Sequence, residues 1–139
     1  MEYTGVNQDL IDDFLSQQTF AVAGSFRDET KYAYQIFRKL RALGKTVYPI
    51  NPGIPEVDGV KAYPDVGDVK THIDVVNLVT PPAVSLKIVQ KCFELGTKMV
   101  WLQPGAESTE ILEFCFKNNV KVLHNVCIIM ELSKGVNKQ

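Results

Sequence analysis

Five short runs rich in Val, Ile and aromatic residues alternate along the chain with segments of helical periodicity. The runs are "TFAVAG" at 19–24, "TVYPI" at 46–50, "IDVVNLV" at 73–79, "KMVWLQ" at 98–103 and "KVLHNV" at 121–126. They are almost wholly apolar rather than alternating, which is typical of parallel strands that helices cover on both faces. The pattern therefore predicts an α/β fold: a doubly wound, five-stranded, mainly parallel sheet with helices on both faces.

The connecting segments carry apolar residues at three- and four-residue spacing, as amphipathic helices do. Residues 31–43 form one such segment, which Gly44 ends, and a second runs from Pro81 and Pro82 to Gly96. A third helix is predicted around 111–116, and a segment at about 7–18, behind a possible Asn7 cap, is predicted to pack across the sheet. The predicted buried stripes comprise Ala33, Ile36, Phe37, Leu40 and Leu43; Val84, Ile88, Val89, Cys92 and Phe93; Ile111, Leu112, Cys115 and Phe116; and Leu10, Ile11, Phe14 and Leu15.

The segment 51–70, "NPGIPEVDGVKAYPDVGDVK", interrupts this regular alternation. It is dense in Pro, Gly and Asp, and has weak helical character only around 65–69. Long irregular loops in compact domains often carry function, so the segment is a candidate wall of a binding site. A surface loop closed by its own "VKAYP" contacts explains the same composition.

Length, charge and cysteine content narrow the functional classes. A chain of 139 residues suits one domain, spanning 1–139 with its core at about 19–131. A net charge of −1 argues against a nucleic-acid partner. No apolar run reaches membrane-spanning length, the first ten residues do not resemble a signal peptide, and three cysteines form no CxxC motif, so we expect a cytoplasmic protein without membrane or metal site.

The turn that follows the first predicted strand has features of a phosphate site. Gly24 would let the backbone approach a ligand, and Ser25 would add a hydroxyl donor. The next helix would offer free N–H groups and a positive dipole end, and Arg27 and Lys31 could add charge-assisted contacts to a diphosphate. Alternatively, Gly24 only permits a tight turn and both cations are solvated.

A standard NAD site fits this Rossmann-like pattern poorly. The fingerprint GxGxxG is missing, because no second or third glycine follows Gly24. No Asp or Glu occurs between Thr30 and Pro55 to bind the ribose hydroxyls, and the second strand runs instead into "YPINPG", with Asn51 between two prolines. A neutral residue there would tolerate a phosphorylated ribose better than a carboxylate would. An NAD(P)-binding redox enzyme or sensor nevertheless remains the alternative.

A third feature lies at the same carboxyl edge of the predicted sheet. The third strand is followed by "VTPP", in which Thr80 precedes a proline and Pro82 opens the next helix. This turn would supply a second helix N-terminus and an apolar surface for an adenine ring. Ligands of open α/β sheets bind at this edge, so Gly24, Asn51 and Thr80 are predicted to surround one site.

These motifs resemble those of the stand-alone coenzyme A-binding proteins, relatives of the N-terminal domain of the succinyl-CoA synthetase alpha subunit. The resemblance covers about 19–131 and rests on "FAVAGS", "KYAYQIFRKLRALGKTVYPINP", "DGVKAYPDV", "IDVVNLVTPP" and "KMVWLQPG", with Cys127 and Glu131 further on. It implies a CoA or acyl-CoA ligand, held by Gly24, Ser25, Phe26, Arg27, Lys31 and Tyr32 around the diphosphate, by Asn51, Pro52, Val79, Thr80 and Pro81 around the nucleotide, and by Gln103 near the fourth strand's end.

The chain departs from the family pattern at two places. Relatives usually have alanine at the position of Ser25 and serine at that of Phe26, and they often have Asp and Arg where this chain has His124 and Asn125.

The sequence gives little sign of catalysis. His72 is predicted to lie at the surface, and His124 to be structural because no carboxylate or nucleophile is spaced to orient it. Cys127 could form a mixed disulfide with the CoA thiol, or be a small buried hydrophobe as most free cysteines are. The sequence therefore predicts a non-covalent CoA-binding or regulatory module without its own catalysis; a non-binding partner subunit is a third possibility.

Overall fold

The computed structural model describes residues 8–137, so the predicted Asn7 cap lies outside the described residues. The helices are α1 (Gln8–Leu15), α2 (Tyr32–Ala42), α3 (Pro82–Leu95), α4 (Thr109–Lys117) and α5 (Ile128–Asn137), with a 3₁₀ helix at Val66–Asp68. The strands are β1 (Thr19–Ala23), β2 (Thr46–Ile50), β3 (Glu56–Val57), β4 (Val60–Lys61), β5 (Val75–Leu78), β6 (Met99–Leu102) and β7 (Lys121–Leu123). All five strands predicted from the sequence are present.

The main sheet has the strand order β2-β1-β5-β6-β7, and every neighbouring pair is parallel. Strand β1 pairs with β2 on one side and with β5 on the other, and its Ala21 lies opposite both Tyr48 of β2 and Val76 of β5. From β1 the chain first moves to β2 on one side and then crosses to β5 on the other. The predicted doubly wound α/β fold is confirmed, and its switch point lies between β1 and β5.

Two apolar layers cover the sheet, one on each face. Phe20 and Val22 of β1 pack with buried residues of α1, α2 and α5. Ala21 and Ala23, which point the opposite way because strand side chains alternate, pack with the 3₁₀ helix, α3 and α4. Helices α2 and α3, which follow the two strands at the switch point, therefore lie on opposite faces of the sheet.

The single tryptophan fixes the packing of the layer that contains α1. Trp101 of β6 is fully buried, and its ring meets the edge of Phe14 with centroids 5.9 Å apart. Its indole N–H donates a hydrogen bond of 2.8 Å to the carbonyl oxygen of Val126. The buried polar group is thus satisfied, and the residue acts in packing, as its place in an apolar run indicated.

Four members of the predicted buried stripes are exposed, and here the prediction was wrong. Leu43, at the end of α2, is 50% exposed, Val84 and Phe93 of α3 are 45% and 38% exposed, and Phe116 of α4 is 87% exposed. On α4, Ile111 and Cys115 face the sheet, and Phe116 is turned about 100° further round the helix, away from it. Phe93 instead packs edge-to-face on Phe114, with ring centroids 5.8 Å apart.

The irregular segment after β2 folds back along that edge strand. Its short antiparallel pair β3–β4 turns at Asp58, whose φ of 50° lies in the left-handed region, and Gly59. The Asp58 carboxylate accepts hydrogen bonds from Arg38 (Nε, 3.0 Å) and from the Tyr34 hydroxyl, and these, the Arg38 bond first, lower its pKa. These hydrogen bonds hold the pair β3–β4 against α2.

Candidate functional site

An open cavity of about 530 Å³ lies at the carboxyl edge of the sheet, where β1, β2 and β5 end. Each strand contributes the turn that follows it, and the first two turns of α3 complete one wall. The cavity adjoins the switch point, where open α/β sheets bind their ligands. Most of the predicted binding residues line it: Gly24, Ser25, Asn51, Pro52, Val79, Thr80 and Pro81.

Gly24 has a packing reason to be glycine. A Cβ at this position would lie 2.7 Å from the Cβ of Ala33 in α2, and 3.1 Å from the Cβ of Val79. Such distances are shorter than van der Waals contact, so α2 can pack this close to the end of β1 only over a glycine. The residue thereby sets where the N-terminus of α2 stands relative to the cavity.

Asn51 ties two of the turns together. Its side-chain amide donates a 2.7 Å hydrogen bond to the carbonyl oxygen of Gly24, and its side-chain oxygen accepts one of 2.7 Å from the N–H of Gly53. Its backbone N–H donates to the carbonyl oxygen of Tyr63 at 2.8 Å, which anchors the chain leading into Pro64. Asn51 thus positions the cavity's rim, and an acidic side chain in its place could not donate to Gly24.

The turn after β5 is held by hydroxyl groups. The hydroxyls of Thr80 and Ser85 are 2.7 Å apart, and the Ser85 hydroxyl also donates to the carbonyl oxygen of Thr80 at 3.0 Å. Helix α3 begins after Pro81 and no side chain caps it. Because Pro82 has no N–H, Ala83 and Val84 supply the first amides of the helix toward the cavity rim.

The loop between β1 and α2 carries two cations beside a second uncapped helix. Lys31 precedes α2 in an extended conformation, and no side chain caps the helix. The Asp28 carboxylate is hydrogen-bonded within the loop. It accepts the hydroxyl of Thr30 and also the N–H of Thr30 at 2.9 Å, and these bonds, the hydroxyl bond first, lower the pKa of Asp28. Neither the side chain of Arg27 nor that of Lys31 makes a hydrogen bond or a close ion pair with a described residue.

The remaining predicted residues do not line the cavity. Phe26 is buried and packs edge-to-face on Phe37 with centroids 6.0 Å apart, so only its backbone faces the loop. Arg27, Lys31 and Tyr32 lie on the loop side, at the start of α2. Gln103, the residue that follows β6, is fully buried on the same side of the sheet as Trp101.

Gln103 connects β6 to α5 rather than reaching the solvent. Its side-chain oxygen accepts a 3.1 Å hydrogen bond from the N–H of Ile128, the first residue of α5, and its amide donates to the side-chain oxygen of Asn77 at 3.1 Å. The Asn77 amide nitrogen is buried without a described partner. This polar pair lies on the sheet face opposite the cavity, under α2 and α5.

Cys127 lies at the beginning of α5 against the beginning of α2. It is half-buried, and its sulfur contacts the hydroxyl of Tyr32. Burial, followed by this contact, raises the pKa of Tyr32. The other two cysteines are buried, which confirms both as core residues, and this burial raises their pKa values to about 12 for Cys92 and about 11 for Cys115.

Sequence reasoning missed several cavity residues. They come from the segment after β2 and from one face of α3: Pro64, Asp65, Val84, Lys87 and Ile88. The candidate wall at 51–70 does reach the cavity, through Asn51 and Pro52 at its start and through Pro64 and Asp65 further on. The spacing of Val84, Lys87 and Ile88 places them on one face of α3; Val84 and Ile88 were predicted to be buried, and Lys87 was not among the predicted residues. Two of these five carry charge, Asp65 and Lys87.

Neither a metal centre nor a membrane span was found in the described part of the chain. Residues 8–137 contain no group of three or more His, Cys, Asp or Glu side chains placed to hold a metal ion. Over the same range, no helix has both the length and the apolar character needed to cross a bilayer.

Comparisons with known proteins agree with the geometry. Residues 18–133 match the family model described as the CoA binding domain. The chain is 28% identical over 140 residues to the alpha subunit of acetate–CoA ligase (ADP-forming) II from Pyrococcus furiosus, an alignment that takes in 92% of this chain and 31% of that subunit. The chain therefore spans less than a third of this curated relative.

Two solved structures are similar over most of their length. A conserved hypothetical protein from Pyrococcus furiosus has 36% sequence identity and a TM-score of 0.78, covering 83% of this chain and 99% of that one. A hypothetical protein from Pyrococcus horikoshii OT3 has 29% identity and a TM-score of 0.87, covering 96% of this chain and 98% of that one. The family resemblance inferred from the sequence is confirmed.

Proposed function

The chain belongs to the CoA-binding domain family, and we propose that it binds coenzyme A or an acyl-CoA non-covalently, as a binding or regulatory module without catalysis of its own. The observation that carries the proposal is the convergence of three strand-end turns on one cavity between two uncapped helix N-termini. Such an arrangement suits a ligand with an aromatic base at one end of a diphosphate.

In the proposed complex the diphosphate lies over the turn after β1. Unpaired N–H groups at the start of α2 and the Ser25 hydroxyl would donate to its oxygens. Arg27 and Lys31 flank this turn and are not neutralised by close ion pairs with described residues. Charge-assisted hydrogen bonds from these cations would add affinity that depends on ionic strength.

The adenine base is proposed to enter the cavity itself. Pro52, Val79 and Ile88 supply apolar walls, and Thr80 and the first amides of α3 lie at its rim. Burying an aromatic ring against such walls yields about 25 cal/mol for each Å² of apolar surface removed from water. Asn51 would act mainly by keeping the turns after β1 and β2 in register.

We propose no reaction, because the candidate residues His72, His124 and Cys127 do not line the cavity. His72 is exposed and 3.6 Å from Asp74, away from the cavity. His124 and Cys127 follow β7 and do not line it either. The curated relative's name states a ligase reaction, but this chain corresponds to 31% of that subunit, so the ligase activity is not proposed for it. Single-domain organisation and a cytoplasmic location stay predictions from the sequence.

The alternative of an NAD(P)-binding redox protein has less support. The carboxylate that would bind the ribose hydroxyls of NAD is replaced by Asn51, whose amide is engaged by Gly24. The two ligand classes differ in a simple measurement. Thermal shift with CoA, acetyl-CoA, NAD, NADP and ADP should show the largest stabilisation with the CoA compounds, because a ligand at about 100 times its Kd adds about 2.7 kcal/mol.

Stabilisation by NAD alone would contradict the proposal. The variant Arg27→Ala should weaken CoA binding without changing the melting temperature of the free protein, since the side chain is exposed. Arg41→Ala, at the opposite end of α2, is the matched control and should leave binding unchanged. Equal CoA affinity in both variants would remove Arg27 from the site.

A further inference from the structure

Two charged side chains line the cavity, and they differ in what they are bonded to. Asp65 caps the 3₁₀ helix: its carboxylate accepts the N–H of Gly67 at 2.9 Å, while its own N–H donates to the Asp68 carboxylate at 3.2 Å. The side chain of Lys87, on α3, makes no hydrogen bond or ion pair with any described residue. An unpaired ammonium beside an apolar cavity is a ready partner for an anion.

The neighbouring lysines on the same side of the molecule have other contacts. Lys91, one turn further along α3, lies 3.8 Å from the Glu94 carboxylate and does not line the cavity. Lys61 of β4 holds its ammonium 5.1 Å from the centre of the Tyr63 ring. Lys87 is thus the cation that both faces the cavity and lacks a partner in the described part of the chain.

The turn after β2 cannot provide a cation for a ribose phosphate. No Lys or Arg occurs from Thr46 to Val60, the stretch that contains this turn. Arg27 and Lys31 lie across the β1 turn, at the start of α2 on the other face of the sheet, where the diphosphate is proposed. A ligand that places its base in the cavity and its diphosphate at α2 carries its ribose at the cavity rim, and Lys87 on α3 is the cation that lines this cavity.

We propose that Lys87 binds the ribose 3′-phosphate of coenzyme A and makes the chain prefer CoA to dephospho-CoA, an inference that rests on the proposed function. The 3′-phosphate is a dianion at neutral pH, and its pairing with the exposed ammonium of Lys87 at the cavity wall is a charge-assisted contact. Asp65, whose carboxylate is fixed by the 3₁₀ helix, disfavours the same phosphate on its side of the cavity and so directs it toward α3.

The test is isothermal titration calorimetry of CoA and dephospho-CoA with the wild-type chain and the variants Lys87→Ala and Lys91→Ala. We expect the wild-type chain to bind CoA at least about 10-fold more tightly than dephospho-CoA. Lys87→Ala should lower CoA affinity to the dephospho-CoA level while changing dephospho-CoA affinity by less than about 2-fold. Lys91→Ala should preserve the preference. Circular dichroism melts confirm that each variant is folded, and the preference should shrink as the salt concentration rises.

The outcomes separate this inference from the proposed function. Two results would overturn the role of Lys87: equal binding of both ligands by the wild-type chain, or an equal loss of affinity for both ligands in Lys87→Ala. Neither result would contradict the proposal that the wild-type chain binds CoA. Loss of preference in Lys91→Ala as well would show a general charge effect and overturn the specific assignment. Failure of the wild-type chain to bind either ligand would instead refute the proposed function, and the inference with it.

Discussion

Replacing Gly24 by alanine is expected to force β1 and α2 apart. The added Cβ would lie 2.7 Å from the Cβ of Ala33, whereas ordinary contact begins at 3.4 Å, so about 0.7 Å of movement is needed. Neither Cβ atom can rotate away, because the position of each is fixed by its own backbone. Val79 closes the other side, with its carbonyl oxygen 3.2 Å and its Cβ 3.1 Å from the new methyl group.

Overpacking of this kind costs about 1–3 kcal/mol of unfolding free energy. Ala33→Gly removes the opposing methyl group, and by itself should cost about 2 kcal/mol, from helix propensity together with one buried methyl group. In the double variant the methyl group has moved from the helix to the turn after β1, so the contact with Ala33 is gone while the close contacts with Val79 remain. The double variant should therefore lose about 2 kcal/mol, from the low helix propensity of glycine and the contacts with Val79, which is well below the sum of the two single changes.

Urea denaturation of the four proteins in this cycle measures the coupling directly. A coupling free energy of about 1–3 kcal/mol in favour of the double variant is expected. Additive effects, or a Gly24→Ala variant as stable as the wild type, would refute the packing explanation. CoA binding by the double variant adds a functional readout: retained affinity is expected, because the glycine is explained by Ala33 and Val79 rather than by a ligand.

Two further predictions concern the turn after β2 and the thiols. Asn51→Asp should lower the free energy of unfolding, measured by urea denaturation, by about 1–3 kcal/mol, because the carboxylate cannot donate to the Gly24 carbonyl oxygen. It should also weaken CoA binding. An Asn51→Asp protein with wild-type stability would show that this hydrogen bond is unimportant. At pH 8, the thiol of Cys127 should react readily with a disulfide reagent. Cys92 and Cys115 should stay protonated and unreactive, because burial raises their pKa values to about 12 and about 11. Fast reaction of all three thiols would contradict the burial of Cys92 and Cys115.

The architecture was predictable because the strands of the main sheet are covered on both faces. Runs such as "VVNL" at 75–78 are wholly buried, and such runs, separated by helix-length segments, leave few alternatives to a parallel sheet. The pair β3–β4 was not predicted, since strands of two residues have no measurable periodicity. The turn residues Asp58 and Gly59 were the available indication of a hairpin.

The site was predictable in location and less so in its individual side chains. Topology alone brings Gly24, Asn51 and Thr80 to one edge, because parallel strands end there together. Which side chains face the cavity depends on helix rotation and loop path. Phe26 lies in a polar loop but turns inward to Phe37, and Lys87 lies between Val84 and Ile88, two residues that were predicted to be buried.

The most direct test of CoA binding at the carboxyl edge of the sheet is an NMR titration of the ¹⁵N-labelled chain with CoA. We expect amide shift changes to cluster at the turns after β1, β2 and β5 and at the starts of α2 and α3, with Ser25 and Val84 among the largest. Changes that cluster at the opposite edge of the sheet, or no change at millimolar CoA, would contradict the account.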